Sequence, residues 1–323
     1  MKKIRDLVLS NNEEIELILK LSNVVIKKSS SGDDYASMIG FDGIDKIEAK
    51  IWNFTDEFKN ILSNGEVYKV LARTKQYQNR TQLNVLSLEK IPDDGTTDLS
   101  IFYEKAKING DELAKIINSY FVKIENKVLK SVVSVLLKKH FEDFFNYPAA
   151  VSMHHNYFSG LAYHTYSMLK LSDAYLELYP YINRDLVYSG IILHDLGKLI
   201  ELSGPKGTEY TKKGNLLGHI SLGANEIYGV SIELGVQDSE EIINLLHIVL
   251  SHHGQLEFGS PKEPMTAEAA LIHFLDFNDS RLATLENEFT KVQKGEYTQP
   301  INAFDRRSFY VPNIKSDKWF KIN

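Results

Sequence analysis

The sequence predicts a multidomain α+β chain, a small β-barrel followed by an all-helical domain. Three observations predict it. Apolar residues alternate with polar ones between turn signals through about the first 90 positions. From Asp111 onward the apolar spacing becomes helical. The length of 323 residues exceeds what one core usually organises, and a composition 43% hydrophobic supplies enough apolar material for more than one.

In the first part, Leu17–Lys28 is rich in apolar and β-branched residues and ends at the turn cluster SSSGDD, residues 29–34. Tyr35–Phe41 and Lys46–Trp52 follow, joined by Asp42-Gly43 as a hairpin signal. In the second of these, Ile47, Ala49 and Ile51 alternate with Glu48 and Lys50. Phe54–Leu62 reads as a short helix closed by Asn64-Gly65, and Val67–Lys75 and Thr81–Lys90 pair around Gln78-Asn79. Three strands, a short helix and two strands is the element order of an OB-fold barrel. Residues 1–92 are therefore read as the barrel domain. Pro92, Asp93-Asp94-Gly95 and Asn109-Gly110 mark 93–110 as a linker, leaving 111–323 as the helical domain with its C-terminal tail. Helical runs are expected at 160–178, 184–193, 218–234, 239–252 and 266–293.

A formal net charge of −6 gives no overall positive field to attract nucleic acid, so such contacts would have to come from local basic patches. With no cysteine, disulfides and zinc–thiolate sites are excluded, and a transition metal must be held by His, Asp or Glu. The N-terminus lacks a signal-peptide pattern, and no segment reaches the roughly 18 apolar residues of a membrane span. The expectation is a soluble, cytoplasmic protein.

Ten histidines are present, and all but His140 lie between His154 and His273. The sharpest motif is HDLGK, His194 to Lys198, after the apolar run Val187–Leu193. A His-Asp pair at the end of a buried helix is costly to desolvate unless something pairs with it, and a divalent cation offsets that cost. His164 lies on an amphipathic run upstream, Asp276 in HFLDFNDS, His219 at the start of another helical run and His252-His253 at the end of a fourth. Imidazoles and carboxylates suit Mn, Fe, Co, Zn or Mg, and helices projecting them inward is how bundles build metal sites. The order His, His-Asp, Asp is the pattern of the HD superfamily. His140, His247 and His273 are read as structural or surface residues, His273 also as a possible support for Asp276 three residues on.

The segment FFNYPAAVSMHHNYFSGLAYHTYSM, residues 144–168, resembles the entry to the HD domain in the YhaM family of bacterial 3′→5′ exoribonucleases. The layout is similar too: a barrel carrying KIEAKIWN at 46–53, then the HD residues, then the tail AFDRRSFYVPNI at 303–314. The resemblance implies a metal-dependent phosphodiesterase acting on single-stranded RNA, or single-stranded DNA, with two divalent cations, manganese first and Co, Fe, Mg or Zn as alternatives. A homo-oligomer is left open, and the lack of an apolar span leads to the expectation of no membrane partner. It assigns His164, His194, Asp195 and Asp276 to a first metal, with Asp195 bridging to a second held by His219 and His252. His253 is a further ligand or a phosphate contact. Asp195, Lys198 and His219 become the catalytic set, with Lys198 on a phosphate oxygen. His154 and His155 become candidates for the 3′ end or its phosphates. On the barrel, Tyr35, Phe41, Trp52, Tyr68 and Tyr77 are candidate stacking platforms and Lys50, Lys69, Arg73, Lys75 and Arg80 candidate backbone contacts. Arg73–Arg80 is the locally basic stretch. Two rival readings remain: a phosphohydrolase of nucleotides or cyclic dinucleotides, and a non-catalytic nucleic-acid-binding protein with a structural metal.

Overall fold

The computed structural model describes residues 3–7, 12–29, 31–77, 80–92, 99–103, 106–150, 157–206 and 208–314. The chain forms two compact units. The first is Met1–Lys105 with Ser203–Glu209, and the second is Ala106–Leu202 with Tyr210–Asn323.

The first unit is a five-stranded barrel of β1 (Glu14–Lys28), β2 (Asp34–Phe41), β3 (Lys46–Ile51), β4 (Val67–Tyr77) and β5 (Arg80–Lys90). A short helix, α1 (Asp56–Ile61), precedes β4. The sheet closes in the order β1-β2-β3-β5-β4, with β4 returning antiparallel to β1 and β3 running parallel to β5. The alternation explains the closure. Ile15, Leu17, Leu19 and Leu21 of β1 face inward, and Ala36 and Met38 of β2 with Ile47, Ala49 and Ile51 of β3 join them. A one-residue slip would turn each of these rows to solvent, so the pattern fixes the register. Gly40 leaves room for Leu19, whose Cδ1 lies 2.9 Å from where a Cβ would stand.

Two expectations for this unit change. Tyr68 is fully buried core; its hydroxyl donates to Ile61 O at 2.9 Å and accepts from Ser63 N at 2.7 Å, tying the chain after α1 to the barrel. In the segment read as linker, Ser100–Phe102 form a 3-10 turn and Leu99, Phe102 and Tyr103 are buried, with Tyr103 donating to Gly65 O at 3.2 Å. The turn at Gln78-Asn79 lies outside the described residues.

The second unit is helical: α2 (Gly110–Phe121), α3 (Lys127–Lys139), α4 (Phe141–Asn146), α5 (Gly160–Leu178), α6 (Arg184–Leu193), α7 (Lys198–Glu201), α8 (Lys212–Glu233), α9 (Glu240–Ser251) and α10 (Ala267–Phe289). Side-chain N-caps start most of the long helices: Asn183 on Leu186 N for α6, Thr211 on Gly214 N for α8, Ser239 on Ile242 N for α9 and Thr266 on Ala269 N for α10. α6 is buried from Val187 to Leu193 and packs against α3, α5, α9 and α10, so its C-terminal end opens in the middle of the unit. Gly190 permits this: a Cβ there would meet Ile272 Cδ1 at 2.5 Å. No helix among the described residues is long and apolar enough to cross a membrane.

Candidate metal centre

The site gathers at the end of α6. His194 caps that helix, and Asp195 follows in a turn before α7. α5 supplies His164, α10 supplies Asp276, α8 supplies His219, and the turn ending α9 supplies His252 and His253. Gly254 ends that turn at φ +81°, a left-handed conformation that glycine adopts without strain. It also leaves space for the His273 ring, whose nearest atom lies 2.2 Å from a notional Cβ.

Two clusters of ligand-type atoms result, His164–His194–Asp276 and His219–His252–His253, and within each the atoms lie within 4.8 Å of one another. In the first, His164 Nε2 is 3.3 Å from His194 Nε2 and 3.2 Å from Asp276 Oδ1. Asp195 lies between the clusters. Its Oδ2 is 3.3 Å from His194 Nε2, and its Oδ1 is 3.5 Å from His219 Nε2 and 3.7 Å from His252 Nε2.

The imidazoles are all oriented the same way. Nδ1 of His164 meets Asp279 Oδ2 at 2.6 Å and Nδ1 of His219 meets Glu201 Oε1 at 3.1 Å. Nδ1 of His194, His252 and His253 meets the carbonyls of Ile191, Val249 and Phe258 at 2.8, 2.7 and 2.9 Å. Those oxygens only accept, so each Nδ1 carries the proton and each Nε2 turns toward the cluster. This is the ring orientation needed to bind a cation through Nε2.

Charge is arranged to match. Burial alone raises the Asp195 carboxyl, but Lys198, His194 and His219 outweigh it and hold the group well below the usual carboxylate range. Asp276 is likewise lowered against its burial by the hydrogen bond from His164. Burial and the neighbouring His194 and His253 push His252 far down, and burial with His219 lowers His253, so both rings are neutral. For His164, burial favours the neutral ring, yet hydrogen bonds to Asp276 and Asp279 win and raise it to about 10.

The fit to a cation rests on three atoms. Asp195 Oδ1, His219 Nε2 and His252 Nε2 are buried, the carboxylate oxygen faces both ring nitrogens, and none of the three has a hydrogen-bond partner among the described residues. One carboxylate oxygen 3.5 and 3.7 Å from two acceptor nitrogens, with no donor among the described residues, is costly unless a positive ion is shared among them. The donor set, imidazole and carboxylate without thiolate, suits a borderline or hard divalent cation.

The structure thus brings His164, His194, Asp195, His219, His252, His253 and Asp276 together. Lys198 opens α7, and its Nζ sits 2.7 Å from Asp195 Oδ2. His273 donates to His252 O at 3.0 Å and supports that turn rather than Asp276. His247 accepts from Met265 N and His140 pairs with Glu226. Two partners were not read from the sequence, Asp279 and Glu201. Each lies three residues beyond a residue that was, Asp276 and Lys198, and that same-face spacing was the available signal. His154 and His155 lie outside the described residues, as does the side chain of Arg80.

On the barrel, Trp52 stacks on Tyr35 with centroids 4.8 Å apart and planes 23° off parallel, and its Nε1 donates to Asn84 Oδ1 at 3.1 Å. Asn84 is registered opposite Lys50 on β3 and Arg73 on β4, one cross-strand row. Arg73 and Lys75 are exposed, and Arg73 pairs with Glu14 at 3.2 Å.

Residues 161–277 match the HD domain family model. That span runs from the start of α5 to the middle of α10 and contains all seven cluster residues. The chain is thus an OB-like five-stranded barrel followed by a helical HD domain, a domain class associated with metal-dependent phosphohydrolysis.

Proposed function

We propose that this protein is a metal-dependent phosphodiesterase that shortens single-stranded RNA, or single-stranded DNA, from the 3′ end and releases 5′-mononucleotides. The observation that carries the hydrolytic part is the unsatisfied trio Asp195 Oδ1, His219 Nε2 and His252 Nε2 beside the His164–His194–Asp276 cluster. The polymer part rests on a second observation, the Tyr35–Trp52 stack beside the Lys50–Asn84–Arg73 row on the same chain's barrel. A half-exposed stacked pair next to cations is the chemistry that holds an unpaired base and its phosphates without reading sequence.

In this reading His164, His194, Asp195 and Asp276 hold one divalent cation and Asp195, His219, His252 and His253 a second. The cations supply Lewis acidity toward water and the phosphoryl group. Asp195 orients both clusters through its two oxygens. Lys198, held by Asp195 Oδ2, keeps an ammonium at the rim of the site, where it can stabilise a phosphate oxygen. His252 and His253, neutral and pinned at Nδ1, present lone pairs and add no charge of their own. Manganese is the first ion to test.

The experiment is incubation with Mn²⁺ and separate end-labelled RNA, single-stranded DNA, nucleotides and cyclic dinucleotides. A ladder of shortening 5′-labelled polymer with mononucleotide release supports the proposal. Turnover of small nucleotides alone replaces it with a nucleotide phosphohydrolase, and inertness toward all of them with a binding protein carrying a structural metal.

A further inference from the structure

Two carboxylates stand behind the clusters, and among the described residues each meets one imidazole, in a different cluster. Asp279 Oδ2 accepts from His164 Nδ1 at 2.6 Å, in the cluster with His194 and Asp276. Glu201 Oε1 accepts from His219 Nδ1 at 3.1 Å, in the cluster with His252 and His253. The remaining three histidines lean on neutral backbone carbonyls. Each cluster therefore has one imidazole backed by a full negative charge.

The local chain is built around the Glu201 contact. α8 is interrupted at Gly218, at φ 70° and ψ 154°, immediately before His219. The interruption frees the His219 backbone N–H, which donates to the same Glu201 Oε1 at 2.9 Å. A single oxygen thus fixes both the main chain and the ring of His219. Glu201 is itself held by close backbone packing, because its carbonyl lies 2.3 Å from where a Cβ on Gly214 would stand. Asp279 lies one turn after Asp276 on α10, so one helix supplies a direct ligand and the support for another.

We propose that Asp279 and Glu201 are positioning residues that set the two cation affinities separately, Asp279 for the His164 cluster and Glu201 for the His219 cluster. This rests on the reading of both clusters as cation sites. A carboxylate behind a ligating imidazole fixes the tautomer, locks the ring and makes Nε2 a stronger donor, and its removal typically lowers metal affinity about 10- to 100-fold. Asp279 meets His164 and Glu201 meets His219, so each loss is expected at its own site.

The test is Mn²⁺ titration of the full-length protein by calorimetry, with stoichiometry by elemental analysis after dialysis. Wild type is expected to bind two equivalents. Glu201→Ala weakens one step about 10- to 100-fold and leaves the other, and Asp279→Ala does the reverse. Glu201→Gln and Asp279→Asn, near-isosteric and still able to accept from Nδ1, recover part of the loss, which a purely structural role of the charge would not predict. In a His219→Ala background, Glu201→Gln adds no further loss while Asp279→Asn does. Side-chain ¹⁵N spectra of the metal-free protein supply a second readout: Glu201→Gln shifts only the His219 nitrogens and Asp279→Asn only those of His164. If wild type binds two cations and either variant weakens both steps or neither, the separate assignment is wrong and the phosphohydrolase reading stands. If wild type binds none, both fall.

Discussion

Gly197, in the HDLGK turn, is the position where one methyl group should do most damage. Its φ of −61° suits any residue, so backbone freedom is not what selects glycine. Space is. A Cβ at 197 would lie 2.0 Å from His219 O and 2.6 Å from Gly223 N, both main-chain atoms of α8. No flexible side chain can rotate away, so α8 must retreat by about 1 Å to restore even a tight contact. Overpacking of this kind costs about 1–3 kcal/mol, a fall of about 2–12 °C in the melting temperature of a domain this size. The same retreat carries His219 Nε2 away from Asp195 Oδ1, now 3.5 Å apart, and a misplacement of that order costs about 100-fold in rate. Gly223→Ala is the control. Its Cβ faces Gly197 N at 3.2 Å and Gly197 Cα at 3.6 Å across the same contact, so a few tenths of an ångström suffice and the expected loss is below about 1 kcal/mol. Thermal melts and Mn²⁺ titration of both variants decide the matter. Equal behaviour of Gly197→Ala and Gly223→Ala, or wild-type stability of the former, would refute the steric argument.

Asp195→Asn should abolish hydrolysis, because Asp195 faces both clusters, whereas His219→Ala should keep one cation and lose most of the rate; equal metal content and rate in the two count against the bridging role. Trp52→Ala should weaken binding of single-stranded RNA by about 1–3 kcal/mol in fluorescence titrations and leave cation stoichiometry unchanged. In the barrel, Asp42 accepts the backbone N–H of Ile4, Ile44 and Asp45 at 2.7–2.9 Å. Burial raises its pKa, but those three donors outweigh it and leave it lowered. Its contribution is therefore complete above the unfolded carboxylate value near pH 4 and disappears as pH falls through the lower folded value. Asp42→Asn should lower stability by about 1–3 kcal/mol at pH 7, and urea titrations should find the gap to wild type narrowing below about pH 4.

The barrel was legible because its strands carry inward residues at every second position. Ile47, Ala49 and Ile51 announce β3 without help from any partner. His194-Asp195 and His252-His253 were legible as ionisable groups at the ends of apolar helices, which need a reason to be there, while His164, His219 and Asp276 were read from the His, His-Asp, Asp order and the family resemblance. What the sequence hid was tertiary. Nothing local says that Lys198 turns to Asp195, because that depends on where α6 stops. Glu201 and Asp279 look like ordinary surface acids until α8 and α5 bring imidazoles to them. The break at Gly218 and the assignment of Ser203–Glu209 to the first unit follow from packing that has no one-dimensional signature. Tyr68 was ambiguous because a barrel buries aromatics and also displays them.

The Lys198–Asp195 pair has a consequence for how the domain tolerates chelation. Two carboxylates, Asp195 buried and Asp276 partly so, would normally repel each other once stripped of any bound ion. Here an ammonium sits against one and a protonated His164 ring against the other, so the protein holds internal counter-ions of its own. The helical unit should therefore survive exhaustive treatment with EDTA without melting. Any arriving cation competes with charges already in place, and its apparent affinity falls as the solution is acidified, because loading releases the His164 proton.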